Sequence, residues 1–330
     1  MEKTIIEALN DLSNDKMPLI IEDENEIQMK LDASCVQKDN MQINENAFEG
    51  WMFAIYSCAK NMHLDKKIKL TLKDEQKLKY EAYNGNGHLC RFLYRLMKYS
   101  EQYSNWFSLD DYLVEEVRKF KVFLTSELLT NNIESGKPGP GTSEYKEHKA
   151  EEWFGGEGQD DLRRCLVKDK IDIGNNPIYR QLPVGLFKDY VRRKKENIIF
   201  PENHAAIDLW TCNKDELNVI ELKADNPMIG IMTEVFFYSN FMLDFVDPNG
   251  LFQLDADEAY VKRKSNSRGT FPRGHEHITQ GFKKINGIML ADDNKYHPWV
   301  NSETLDIMND NGDIGIKYFR GTYPYAIIPD

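Results

Sequence analysis

Asp208, Glu221 and Lys223 are charged residues set into stretches that are otherwise apolar. Asp208 interrupts the run Ala206-Ile207-Asp208-Leu209-Trp210, and Glu221 and Lys223 end the branched run that starts at Leu217. Burying a charge costs on the order of several kcal/mol unless it is paired or metal-bound. Residues 221 and 223 are two apart on a strand, so both side chains leave the same face. The polar turn Asn213-Lys214-Asp215-Glu216 separates the two runs. Paired as a hairpin, they bring Asp208 beside Glu221. Two carboxylates and an ammonium at one point suit a hard divalent cation, with the lysine placed to orient or deprotonate a water.

The element that must follow is a helix. Asp225-Asn226-Pro227 combines a capping side chain with proline at a first helical position. Residues Met228 to Val246 are overwhelmingly apolar, which predicts a helix buried on most sides.

This order of acid, spacer and acid-x-Lys resembles the PD-(D/E)XK nuclease superfamily, the restriction-endonuclease-like fold. Here the pattern reads Asp208, twelve residues, then Glu221-Leu222-Lys223, with Ile207 where the family usually has proline. Glu234-Val235-Phe236-Phe237-Tyr238 is similar to the Gln-x-x-x-Tyr element of the exonuclease branch, with Glu in place of Gln. An (i, i+4) pair shares one helix face, so Glu234 and Tyr238 can both point at the site. The resemblance implies hydrolysis of phosphodiesters with Mg²⁺ or Mn²⁺. Asp208, Glu221 and the Leu222 carbonyl would hold the metal, and Lys223 would position the water and offset developing charge. It also implies one further acid on the first helix, for which Glu151, Glu152 and Glu157 all qualify. The expected partner is nucleic acid, DNA in the first place.

Acid-x-Lys recurs at Asp65-Lys66-Lys67, Glu75-Gln76-Lys77, Glu144-Tyr145-Lys146, Glu147-His148-Lys149 and Asp293-Asn294-Lys295. The first four lie in polar surroundings and need only a solvated face. The last follows a strand-like run, Ile285 to Ala291, but lacks a companion acid before it and a capped helix after it. Context therefore selects Glu221 to Lys223.

At 330 residues the chain accommodates two domains. Hydrophobic content of 41% marks it as globular, and no apolar run approaches the ~20 residues a membrane span needs. The opening residues lack a signal peptide's basic start and apolar centre, so a cytoplasmic location is expected, with no membrane partner. Five cysteines without a Cys-x-x-Cys pair argue against a zinc ribbon, a disulfide framework and an iron–sulfur cluster. His275-Glu276-His277 has no third ligand at a recognisable spacing and is read as a loop. His204 is read as a strand-start residue without a role.

Net charge of −12 opposes a polyanionic partner, but two basic runs bracket the motif. Lys188, Arg192, Arg193, Lys194 and Lys195 stand against one acid, Asp189, and Lys262, Arg263 and Lys264 are followed by Arg268 and Arg273. These are the expected phosphate contacts.

Along the chain, residues 1–43 carry no firm reading. A helix is expected over 47–62, a hairpin from 68–72 and 78–83, and helices over 88–103 and 109–129. The Gly/Pro-rich segment 138–142 is the expected linker between an N-terminal α+β domain, 1–137, and a nuclease-like domain, 143–330. The second domain should hold helices over 143–170 broken at Gly155 to Gly158. Strands at 179–187, 206–210 and 217–222 should follow, then the helix from Pro227 and strands at 285–291 and 316–319. The fold class is thus α/β (α+β): a restriction-endonuclease-like core with a mixed central sheet flanked by helices, preceded by a separate α+β domain. Two rival readings are a catalytically silent nucleic-acid-binding module on the same fold, and an assembly protein working through N-terminal aromatic surface. Nothing in the sequence supports a homo-oligomer.

Overall fold

The computed structural model describes residues 4–10, 17–73, 76–79, 83, 85–126, 129–132, 142–188, 195–200, 205–225, 227–247, 249–254, 282–292 and 295–329. The protein is of mixed α and β structure with mixed sheets. It divides into two compact units. One comprises Met1–Phe123, Met228–Glu234 and His297–Ile314; the other comprises Leu124–Pro227, Val235–Tyr296 and Gly315–Asp330. Neither is a single stretch of chain. Among the described residues no helix is long and apolar enough to cross a membrane.

The first unit begins with α1 (Ile5–Asn10) and a hairpin of β1 (Leu19–Glu22) and β2 (Glu26–Leu31). Asp23 builds the turn: its Oδ1 accepts from the N–H groups of Asn25 and Glu26, each at 2.9 Å. Asp32 caps α2 (Ala33–Lys38) by accepting from Ser34 N–H. α3 (Phe48–Asn61) is apolar nearly all round and accordingly buried as far as Ala59, with Tyr56 half covered and Lys60 and Asn61 exposed at its end. β3 (Lys67–Leu72), α4 (Gly87–Gln102), β4 (Phe107–Leu109) and α5 (Asp111–Ser126) follow.

The sheet order is β1-β2-β3-β4, with β2, β3 and β4 parallel. The expected hairpin from 68–72 is not what β3 forms. Both its edges are taken, by β2 and β4, and Leu78 and Lys79 lie in no strand; residues 80–82 lie outside the described set. Helical connections on either side of β3 are long enough to return the chain in parallel, which a short turn cannot do.

The second unit holds β5 (Leu129–Asn132), α6 (Thr142–Phe154), α7 (Gln159–Lys168), β6 (Tyr179–Pro183), β7 (Gly185–Lys188), β8 (Ile198–Phe200), β9 (Ala206–Cys212), β10 (Glu216–Lys223), α8 (Gly230–Val246), β11 (Gln253–Leu254), β12 (Lys284–Asp292) and β13 (Ile316–Tyr323). The first turn of α8 is counted with the first unit. The five-stranded sheet is ordered β13-β12-β10-β9-β6, parallel from β13 to β10 and antiparallel from β10 to β6. A smaller sheet is ordered β11-β5-β7-β8. The single strand expected over 179–187 is therefore two strands in two sheets. Pro183, with no N–H to offer a neighbour, closes the first of them.

Helices α6 and α7 cover one face of the large sheet, where Phe154, Leu162 and Leu166 pack with Leu209, Ile220, Leu222, Ile288 and Leu290. On the other face Gly287 makes room for α8: a Cβ there would stand 2.5 Å from Ser239 Oγ and 3.0 Å from Val235. Because Val219 pairs with Gly287, the alternation along β10 sends Glu221 and Lys223 to the α8 side. Burial on both faces is why β10 and β12 read as nearly unbroken apolar runs. α9 (Ser302–Asn309), closed by a capping box between Asn301 and Thr304, returns to the first unit.

Candidate active site

The turn between β9 and β10 is built by Asn213, whose Oδ1 accepts from the N–H groups of Asp215 and Glu216, both at 2.9 Å. The antiparallel ladder then runs from Leu217↔Cys212 to Ile220↔Leu209. On the far side of β9, the pairs Arg180↔Leu209 and Leu182↔Ile207 bracket Asp208 and Gln181. Gln181 has φ of 52°, the left-handed region that costs a non-glycine residue about 1–2 kcal/mol. Asp208 thus sits at an irregularity between three strands. Its carboxylate does what a strand carbonyl would otherwise do: Leu222 N–H donates to Asp208 Oδ2 at 2.9 Å.

That bond ties Asp208 to the strand that carries Glu221 and Lys223. Both are buried, at 3% and 5% exposure, and Lys223 Nζ lies 3.4 Å from Glu221 Oε1. Tyr323 Oη donates to the Lys223 carbonyl at 3.5 Å.

Helix α6 brings more negative charge. Glu147 Oε1 accepts from Ala224 N–H at 3.2 Å, at the carboxyl end of β10. Glu151, one turn on, is 3% exposed and accepts from Arg180 Nε at 3.0 Å. Burial raises the Glu151 carboxyl above the usual carboxylate range, and Arg180 opposes that rise. Burial likewise pushes the Asp208 carboxyl up to about 8. Lys223 draws it down, Glu151 pushes it further up, the Leu222 N–H lowers it, and Glu147 raises it. Asp208 is thus influenced by Glu147 and Glu151 of α6 and by Lys223, which itself stands beside Glu221, while Arg180 and His148 stand beside Glu151.

The remaining predicted residues fall as follows. Of the three acids considered for the first helix, Glu151 acts electrostatically on Asp208, whereas Glu152 is exposed and lies near His148 and Arg180. Glu157 is exposed in the turn after α6. Glu234 and Tyr238 are both buried on α8, Glu234 counted with the first unit and Tyr238 with the second. Arg192, Arg193, Lys194, Lys262, Arg263 and Lys264 lie outside the described residues, as do His204, His275 and His277. Lys195 opens a 3₁₀ turn, Lys195–Asn197, and its side chain lies outside the description. Among the described residues, no three His, Cys, Asp or Glu side chains form a metal-holding group.

Two features escape sequence reasoning. Glu147 belongs to an acid-x-Lys that reads as solvated; its only signal is the helical spacing to Glu151. Asp225, expected to cap the following helix, has φ of 58° and instead accepts ion pairs from Lys146 and, at 3.0 Å, from Lys295. Helix α8 starts later, at Gly230. No family model, curated protein or solved structure matches the chain.

Proposed function

We propose that the second unit is a Mg²⁺-dependent phosphodiesterase of the PD-(D/E)XK type acting on nucleic acid, DNA in the first place. The observation that carries this reading is the Leu222 N–H bond to Asp208, which couples the acid of one strand to the acid-x-Lys of the next. The sheet between α6/α7 and α8 is then read as the restriction-endonuclease-like core. Asp208, Glu221 and the Leu222 carbonyl are a donor set suited to Mg²⁺. That ion commonly takes one or two carboxylates and fills its remaining positions with water and phosphate oxygens. The rise of the Asp208 carboxyl, from burial first and then from Glu151 and Glu147, supports the same assignment, since a divalent cation would favour its ionised form.

In this reading the bound cation supplies Lewis acidity and a water of lowered pKa. Asp208, held by the Leu222 N–H, and Glu221 fix the ligand geometry from two strands. Lys223, kept beside Glu221, orients the attacking water and offsets charge developing on the phosphoryl oxygens. Arg180 holds Glu151 in place behind Asp208. A cytoplasmic location goes with this assignment.

The test is cleavage of single- and double-stranded DNA and RNA with Mg²⁺ and Mn²⁺. Asp208→Asn should lose both Mg²⁺ binding and cleavage. Lys223→Ala should keep most of the Mg²⁺ affinity and lose about 10²-fold or more in rate, the scale of one electrostatic catalytic group. Circular dichroism must show that both variants fold. A parent protein that binds DNA with a steep salt dependence, yet cleaves nothing with either metal, would favour the silent binding module.

A further inference from the structure

The parallel strands of the first unit end at Leu31, Leu72 and Leu109, and the residues that follow those ends line two adjoining cavities. The larger measures about 640 Å³ and the smaller about 450 Å³; Gln76 and Lys77 line both. In open α/β sheets ligands enter at the carboxyl ends of the strands, where loops can vary over a fixed scaffold.

The walls are tied together. Ala33 N–H donates to Gln76 Oε1 at 2.8 Å, Lys79 N–H to Gln37 Oε1 at 2.9 Å, and Leu78 N–H to Tyr112 Oη at 2.9 Å. These bonds pin the segment after β3 against those after β2 and β4, so the cavities exist before any ligand arrives. Preformed walls reduce the ordering cost of binding.

The larger cavity is rich in donors. Lys38, Lys77 and Lys79 line it, and its one acid, Asp32, is committed to the N–H and hydroxyl of Ser34. Gln76 spends its carbonyl on Ala33 and so retains its amide N–H groups. Among the described residues Lys38 and Lys79 make no ion pair. On a chain of net charge −12, three ammoniums against one occupied carboxylate select an anion. The smaller cavity differs in character. Thr71, Leu72, Asp110 and the Tyr112 ring line it, and Lys77 Nζ lies 5.9 Å from the centre of that ring. It offers an aromatic face and polar edges to a flat heterocycle, with the cationic cavity adjoining.

We infer that the two cavities form one binding site for a nucleoside phosphate, with phosphate at Lys38, Lys77 and Lys79 and the base at Tyr112. The site lies wholly in the first unit and does not depend on the phosphodiesterase reading. Calorimetry on the full chain without divalent metal tests it, using adenosine and guanosine 5′-diphosphates, with adenosine and inorganic phosphate as separate arms. A diphosphate should bind saturably and more tightly than phosphate or adenosine alone. Lys77→Gln with Lys79→Gln should weaken it about tenfold or more, and Lys38→Gln less. Tyr112→Leu should weaken the nucleotide and spare inorganic phosphate. Asp208→Asn should bind like the parent, because the other proposed site is not involved. Absence of saturable binding, binding indifferent to the lysine changes, or binding lost in Asp208→Asn would each overturn the assignment. So would inorganic phosphate binding as tightly as the nucleotides.

Discussion

Each unit buries a cluster of charges, and the two clusters are built on opposite terms. In the first, Glu49 and Arg95 are 0% and 1% exposed. Arg95 grips both Glu49 oxygens, at 2.7 and 2.5 Å, and also donates to the Asn46 carbonyl. Thr233 Oγ1 donates to Glu49 at 3.1 Å, and the guanidinium lies 4.7 Å from the centre of the Phe48 ring. One positive charge meets one negative charge, in a bidentate geometry with further bonds on both groups. In the second, Glu147 and Glu151 act on Asp208 together with Lys223, Lys223 stands beside Glu221, and Arg180 and His148 stand beside Glu151. Desolvation opposes both clusters. In the first, burial raises the Glu49 carboxyl as well, but Arg95 and Thr233 oppose that rise from within, so every member of the cluster has a partner. In the second, burial first, and then Glu151 and Glu147, lift the Asp208 carboxyl against the pull of Lys223, so ionising it there is costly unless a further cation joins the group.

The sharpest way to break this contrast is to unbalance the balanced cluster. Arg95→Ala strands Glu49 in the core and should cost about 3–5 kcal/mol in urea unfolding. Replacing both partners, Arg95→Met with Glu49→Leu, should recover most of that loss. If the single change costs less than about 1 kcal/mol, the pair does not hold the core together.

The cluster around Asp208 should respond with the opposite sign. The Asp208 carboxyl titrates near 8 in the fold, above its ordinary value of 3.8. The native state therefore holds a proton that the unfolded chain releases between those values. Its contribution to stability is complete below the lower value and disappears as pH rises through the upper one. Asp208→Asn, which carries no charge at any of these pH values, should thus melt above the metal-free parent by a margin of a few degrees that widens from about pH 4 to about pH 8 and then levels off. Mg²⁺ should narrow the margin by stabilising the parent alone. A margin that ignores both pH and Mg²⁺ would show that the fold does not hold the Asp208 carboxyl protonated.

The smallest effect is expected at Lys295. Its bond to Asp225 joins side chains 42% and 32% exposed, and Asp225 keeps Lys146 when Lys295 is removed. Lys295→Ala should change stability by less than about 1 kcal/mol and leave cleavage at the parent rate. If it abolishes cleavage while Lys223→Ala spares it, the acid-x-Lys that matters has been misassigned.

The hairpin of β9 and β10 was legible in the chain because its signals are local. Two apolar runs flank an Asn213 that bonds N–H groups two and three residues on. The helix after it and the strands at 285–291 and 316–319 were legible for the same reason, their patterns being internal to each segment. Three things were not. The partners of β3 could not be read, because Ile68 to Leu72 alternates in the same way whichever strand lies beside it. The place of Glu147 was hidden by polar neighbours that make it look solvated; its bond to Ala224 spans 77 residues. The irregularity at Gln181 depends on β6 and β9 meeting, and a glutamine in isolation carries no sign of φ at 52°. Periodicity and turn chemistry act over a few residues, so the sequence alone determined that the β9–β10 hairpin, the helix after it and the later strands form, and that Glu221 and Lys223 enter the core. Burial and electrostatic balance are sums over everything that approaches. Only the tertiary structure could therefore decide that Glu49 finds its matching cation, and that burial and the acids of α6 together lift the Asp208 carboxyl.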